Sequence, residues 1–198
     1  MLFSPASAMK SHEKLKNAML PGRVYRRRDL EDSSTAVDRD LKTLVESGEA
    51  RRLGFGLYCR PKKNALGAEP PDNRELVRAF LKNDDFLLTS HNHFTDLGLG
   101  LTQVYNNYVV YNHKRVGEFR LGGKRFKFRL VPAYPKTLSK EYVLVDLFNH
   151  LRKLPDEVAA VRENLRHRLA EFDREKVSEC LRLYGSPAAK RALTEEHV

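Results

Sequence analysis

Cysteine is scarce in this 198-residue sequence: Cys59 and Cys180 are the only two. Two thiols cannot build a disulfide framework or a structural zinc site, and they suit a reducing compartment in which both stay buried and free. Long apolar runs are missing too. No stretch approaches the roughly 20 residues of a membrane span. The opening MLFSPASAMK has no basic segment ahead of an apolar one, so no signal peptide is expected. A cytoplasmic location is the default expectation. Phosphate-binding glycine loops are absent as well, because Gly54-x-Gly56 and Gly98-x-Gly100 lack the rest of a dinucleotide or P-loop pattern. No Ser or Cys sits in a nucleophile elbow. The expectation is therefore no enzyme: no catalytic residue, no metal and no cofactor.

Positive charge is what the sequence has in excess. The formal net charge is +10 and the pI about 9.7. The excess is uneven: residues 1–63 hold 14 Lys and Arg against 8 Asp and Glu, residues 64–150 hold 12 against 9, and residues 151–198 hold 10 against 9. A polyanionic partner is implied, and the N-terminal third is where it would bind. The apolar fraction of 41% is ordinary, so the chain can form a core.

The stretch 33–60 organises that third. Val37, Leu41, Leu44 and Val45 recur at helical spacing, with Ser33 or Ser34 placed to cap the helix and Gly48 placed to end it. The period then changes. Arg51-Arg52-Leu53 and Leu57-Tyr58-Cys59-Arg60 flank Gly54-Phe55-Gly56, which predicts a basic hairpin. A capped helix running into a basic hairpin is the layout of a winged helix-turn-helix, in which the helix enters the major groove and the hairpin is the wing. Before it, Ser11 is placed to cap a helix over 11–20, and 27–31 gives one or two turns around Leu30.

Pro61 to Asn73 carries three prolines and few apolar residues, which predicts a linker over 64–73. The expected domains are thus a winged helix over 1–63 and a mixed α/β C-terminal domain over 74–198. In the latter, helices are expected over 74–81, 141–151, 156–172 and 174–184, with a strand at 107–111. A hairpin should turn on Gly122-Gly123. Alternation puts Phe126, Phe128 and Leu130 on its core face and Arg125, Lys127 and Arg129 on the other. Gly185-Ser186-Pro187 ends the last helix, and the tail beyond should fray. The fold class is α+β, with a small antiparallel sheet and C-terminal helices.

The candidate DNA-reading residues follow from this layout. Ser33, Ser34 and Thr35 lie at the helix start, where amides and hydroxyls meet phosphates or base edges. Asp38, Arg39, Lys42 and Thr43 lie on its polar face, and Arg39 is the candidate for a bidentate contact to guanine. Arg51 and Arg52, with the run Arg26-Arg27-Arg28, would grip phosphates, and Phe55 at the wing tip would pack on sugar, insert in the minor groove or seal the core. A second basic surface comprises Arg120, Lys124, Arg125, Lys127 and Arg129, fit for more DNA, for an acidic partner, or for a solvated sheet face. His91-Asn92-His93 with Asp96 is a thin ligand set. Asp96, Glu118 and Arg120 loosely echo the acidic pair and cation of a nuclease.

Two stretches carry a family resemblance. PGRVY, RRDL, STAVDRDLKTLVESGEARRLG and GLYCRP, within 20–61, resemble antitoxins and regulators of the AbiEi type, from type IV toxin–antitoxin (abortive infection) systems. FTDLGLGLTQVYNNYVVY and RVGEFRLGGKRFKFRLV resemble the same family further along. The resemblance implies a DNA-binding N-terminal domain that represses its own operon. It also implies a C-terminal domain that neutralises a cognate toxin, in that family a nucleotidyltransferase-like enzyme. Phe55 departs from the polar or basic wing tip expected there, and the residues from Leu151 onward match nothing in the family. The expected partners are therefore double-stranded DNA of the chain's own promoter and a toxin protein, with no membrane. The alternatives are a DNA-directed nuclease-like enzyme, and a plain winged-helix transcription factor with an effector-binding C-terminal domain.

Overall fold

The computed structural model describes residues 10–65, 67–154 and 158–195. The fold is α+β. The chain divides into two compact units, residues 1–84 with 120–124, and residues 85–119 with 125–198.

The first unit begins with α1 (Ser11–Ala18), whose Leu15 is buried along with Met19 just beyond it. Strand β1 (Val24–Arg26) leads into a 3-10 helix, Arg27–Ser33, pinned to the core by Leu30. Helix α2 (Val37–Glu46) buries Val37, Leu41 and Leu44. Each such side chain withdrawn from water stabilises the unit by about 1.5–3 kcal/mol. Strands β2 (Arg51–Gly54) and β3 (Leu57–Cys59) follow and pair antiparallel, with a register shift between Arg52 and Gly54. Strand β1 adds to the other side of β3, giving the order β1-β3-β2.

Four expectations are corrected in this unit. Helix α2 begins at Val37, and Ser34 does not cap it: the N-cap is Ala36, which makes no side-chain cap. The Ser34 hydroxyl instead accepts from the Ala36 amide at 2.9 Å and donates to the Asp40 carboxylate at 2.7 Å. Nor does Ser11 cap α1, because its hydroxyl also donates to Asp40. The expected linker holds two short antiparallel strands, β4 (Lys63–Asn64) and β5 (Gly67–Ala68). Helix α3 (Asn73–Leu81), capped by Asp72, packs on β1, so the first unit runs to Asp84 rather than ending at residue 63.

The second unit is a helical cluster and a four-stranded sheet, of which residues 120–124 at one hairpin turn count with the first unit. The strands are β6 (Leu87–Thr89), β7 (Asn107–Asn112), β8 (Gly117–Leu121) and β9 (Lys124–Leu130), in the order β6-β7-β9-β8. The turn between β8 and β9 is Gly122-Gly123, both at positive φ as a tight hairpin requires. Strands β7 and β9 run parallel, whereas β6 and β7 are antiparallel, so this sheet is mixed. A short helix α4 (Asn92–Thr95) lies between β6 and β7.

Helix α5 (Lys140–His150) is capped by Ser139 and buries seven consecutive residues, Tyr142 to Phe148. Around it pack α6 (Val158–Arg168), α7 (Arg174–Tyr184) and α8 (Pro187–Glu195), sharing one apolar cluster with Leu97, Leu99 and Leu101. The expected start of α6 at Asp156 lies outside the described residues. Helix α8 replaces the expected frayed tail, because Ser186 caps it through the Ala189 amide at 3.1 Å and it buries Ala189, Ala192 and Leu193.

Candidate nucleic-acid interface

The apolar side of α2 is spent on the core, so its other side faces out. Thr35, Asp38, Arg39, Lys42 and Thr43 are all exposed. Arg39 is 74% exposed and lies 3.5 Å from Asp40. Lys42 is as open, with Glu46 one turn on at 3.9 Å, a weak surface pair. Beside this helix in sequence, β2 is an edge strand that leaves both Arg51 and Arg52 exposed. Phe55 occupies the hairpin tip at φ +50, between Gly54 and Gly56, which are also at positive φ. It is 63% exposed, and its ring meets Phe80 edge-on at 5.5 Å. The tip is therefore an aromatic side chain standing out of a glycine-bounded turn and propped by α3.

The arginine run does not act as one cationic patch. Arg26 grips the Asp29 carboxylate with its guanidinium, and its amide donates to Asp29 at 3.0 Å. Arg27 holds Asp38 through two bonds of 2.8 and 2.7 Å and also reaches Glu31. These guanidinium bonds hold the Asp29 and Asp38 carboxyls below the usual range. Arg28 alone of the three is exposed. Arg26, Arg27 and Asp38 are committed within the chain, and so is Ser34, while Ser33 is half-buried at the end of the 3-10 helix.

Asp40 is the buried polar centre of this unit, 2% exposed. Burial pushes its carboxyl up, but bonds from Ser11 and Ser34 and the charge of Arg39 outweigh that and hold it below the usual range. One carboxylate thus ties α1, the turn before α2, and α2 itself.

The second basic surface is divided. Arg120 and Lys124 belong to the first unit, where Lys124 donates to Asn73 at 2.7 Å, while Arg125, Lys127 and Arg129 belong to the second. Arg125 is exposed, Lys127 pairs with Glu118 at 3.0 Å, and Arg129 donates to the His150 ring. Alternation along β9 holds for Phe126 and Phe128, both buried, but fails for Leu130, which is 54% exposed at the strand end.

His91 and His93 diverge. His91 is buried against Phe94 and Tyr105, its Nε2 has no hydrogen-bond partner, and burial pushes its pKa down to about 4. His93 pairs with Asp96 at 3.4 Å. Among the described residues no group of three His, Cys, Asp or Glu could hold a metal. Both cysteines are free, Cys59 buried and Cys180 half-buried.

Sequence reasoning missed a polar network in the second unit. The Tyr111 hydroxyl donates to Asp146 Oδ1 at 2.8 Å. His150 Nδ1 lies 2.8 Å from the Asp146 carbonyl oxygen and 3.3 Å from its carboxylate. A carbonyl only accepts and a guanidinium only donates, so His150 carries its proton on Nδ1 and accepts from Arg129 on Nε2. Burial first, and the Asp146 charge next, push the Tyr111 hydroxyl pKa up. This network floors a cleft of about 800 Å³ between β7, β9, α5 and the start of α8. Asp146, the one charged residue in the apolar stretch 142–148, with His150 four residues on, was the available signal.

No family model and no curated protein matches the chain. In fold it is similar to a solved structure, the crystal structure of the RV2827C protein from Mycobacterium tuberculosis, with a TM-score of 0.61 at 16% identity over 98% of this chain and 80% of that one.

Proposed function

We propose that the chain is a sequence-specific binder of double-stranded DNA, an antitoxin-type repressor of its own operon, with the first unit acting as a winged helix. One observation carries the reading. Helix α2 buries its apolar stripe and leaves Arg39, Lys42 and Thr43 open, with Thr35 exposed just before it, and it runs directly into a hairpin whose edge strand presents Arg51 and Arg52. In the proposed complex α2 lies in the major groove and Arg39 reads a guanine edge. Arg28, Arg51 and Arg52 fix register on the phosphates, and Phe55 lies against the backbone or in the minor groove. Arg27 and Ser34 brace the reading helix through Asp38 and Asp40, while Arg26 is spent on Asp29. The charge excess of residues 1–63 supports the same placement.

The antitoxin half of the proposal rests on the resemblance noted above, which assigns toxin neutralisation to the second unit. It is tested by co-expression with the product of an adjacent toxin gene, growth rescue being the expected result. The DNA half is tested by titrating labelled duplex from upstream of the chain's own gene against a scrambled duplex. A margin of about 10³-fold or more, lost in Arg39→Ala, is expected. A nuclease-like reading gains no support: Asp96 is engaged by His93, and Glu118 by Lys127.

A further inference from the structure

The cleft of the second unit is not used by the DNA-binding proposal, and three features of it converge. Its lining is cationic: Lys127, Arg129 and Lys153 border it, while the single carboxylate of the lining, Asp146, is buried and already accepts from Tyr111. Arg129 has an imidazole for its partner there, a poor acceptor for a guanidinium beside the charge-assisted bonds that an oxyanion offers. Finally, Val116, Leu130 and Leu183, among the most exposed large apolar side chains of the described residues, all lie on this one rim. Their exposure is unexplained by the fold alone.

The size of the cleft suits an organic occupant. About 800 Å³ falls within the roughly 300–1,000 Å³ of sites for organic ligands and is far larger than a lone inorganic anion needs. We propose that this cleft is a binding site for a small organic phosphate: the phosphate takes Arg129 and Lys153 on the cleft wall, and an apolar or planar body covers Val116, Leu130 and Leu183. On binding, the Arg129 guanidinium turns from His150 Nε2 to the phosphate oxygens, and Asp146 with Tyr111 keeps the imidazole in place. The site is carried by the second unit alone and stands independently of the DNA reading.

The test is calorimetric titration of the full chain, without DNA, with phenyl phosphate and with AMP, using inorganic phosphate and adenosine as separate arms. Saturable binding of at least one of the two organic phosphates below about 1 mM is expected, with inorganic phosphate at least about tenfold weaker. Lys153→Gln and Arg129→Gln should each weaken that binding by roughly tenfold or more, and Arg51→Gln should leave it unchanged. Lys153 is exposed, so its variant reports on the ligand even if Arg129→Gln perturbs folding. A long-range ¹H–¹⁵N spectrum should show the His150 Nε2 signal moving on saturation. The proposal is overturned if neither organic phosphate saturates, if inorganic phosphate binds as tightly, or if both cleft variants bind like the parent chain.

Discussion

In the first unit the cations of α2 and β2 point outward, and the one deeply buried carboxylate, Asp40, is met by two serine hydroxyls. In the second unit Arg129 donates to His150, which meets Asp146, itself bonded by Tyr111, beside an open cleft. A surface of exposed cations on a rigid helix suits a long polyanion that wraps the outside. Convergent polar groups on the floor of a cavity suit a small ligand that enters. On the readings proposed above, the same residue types suit two recognition modes, and burial decides which.

That contrast can be broken from the inside first. Asp146→Ala strands the buried Tyr111 hydroxyl and should lower stability by about 2–4 kcal/mol, read from urea unfolding. An unchanged midpoint would mean that the network is not structural. His91 gives the next largest effect, and its sign follows from linkage. Its folded pKa of about 4 lies below the ordinary 6.5, so the unfolded chain binds the extra proton between those values. The stability is present in full above pH 6.5 and lost as pH falls through 4, on the order of 3 kcal/mol in all. His91→Phe should flatten that slope in unfolding curves measured across the window. Asp40→Ala should cost about 1–3 kcal/mol, because Ser11 and Ser34 lose their shared acceptor. The outward charges should behave otherwise. Arg52→Gln should leave the unfolding midpoint alone and reduce the slope of log affinity for DNA against log salt by about one.

Periodicity made α2 and the β2–β3 hairpin legible, because an apolar stripe, a terminal glycine at positive φ and a glycine-bounded tip are local signals. The start of α2 was misplaced because Ser34 spends its hydroxyl on Asp40, a partner chosen by the tertiary fold. Helix α8 was missed because Ser186-Pro187 serves as a stop after one helix and as cap and first residue of the next. The arginine run looked like a phosphate grip, but Asp29, Glu31 and Asp38 all lie within eleven residues and take two of the three guanidinium groups. The cleft was illegible for a different reason: Tyr111, Arg129 and Asp146 are brought together across 35 residues, and an acid within an apolar helix carries no address for its partner.

The most direct measurement is the affinity for duplex DNA from upstream of the chain's own gene, against a scrambled duplex, across a salt series, for the parent chain and Arg39→Ala. A preference of about 10³-fold or more for the upstream duplex is expected, persisting as salt rises and collapsing in Arg39→Ala. Equal affinity for both duplexes, fading together with salt, would contradict it, because the exposed face of α2 would then be a counter-charge for phosphate and nothing more.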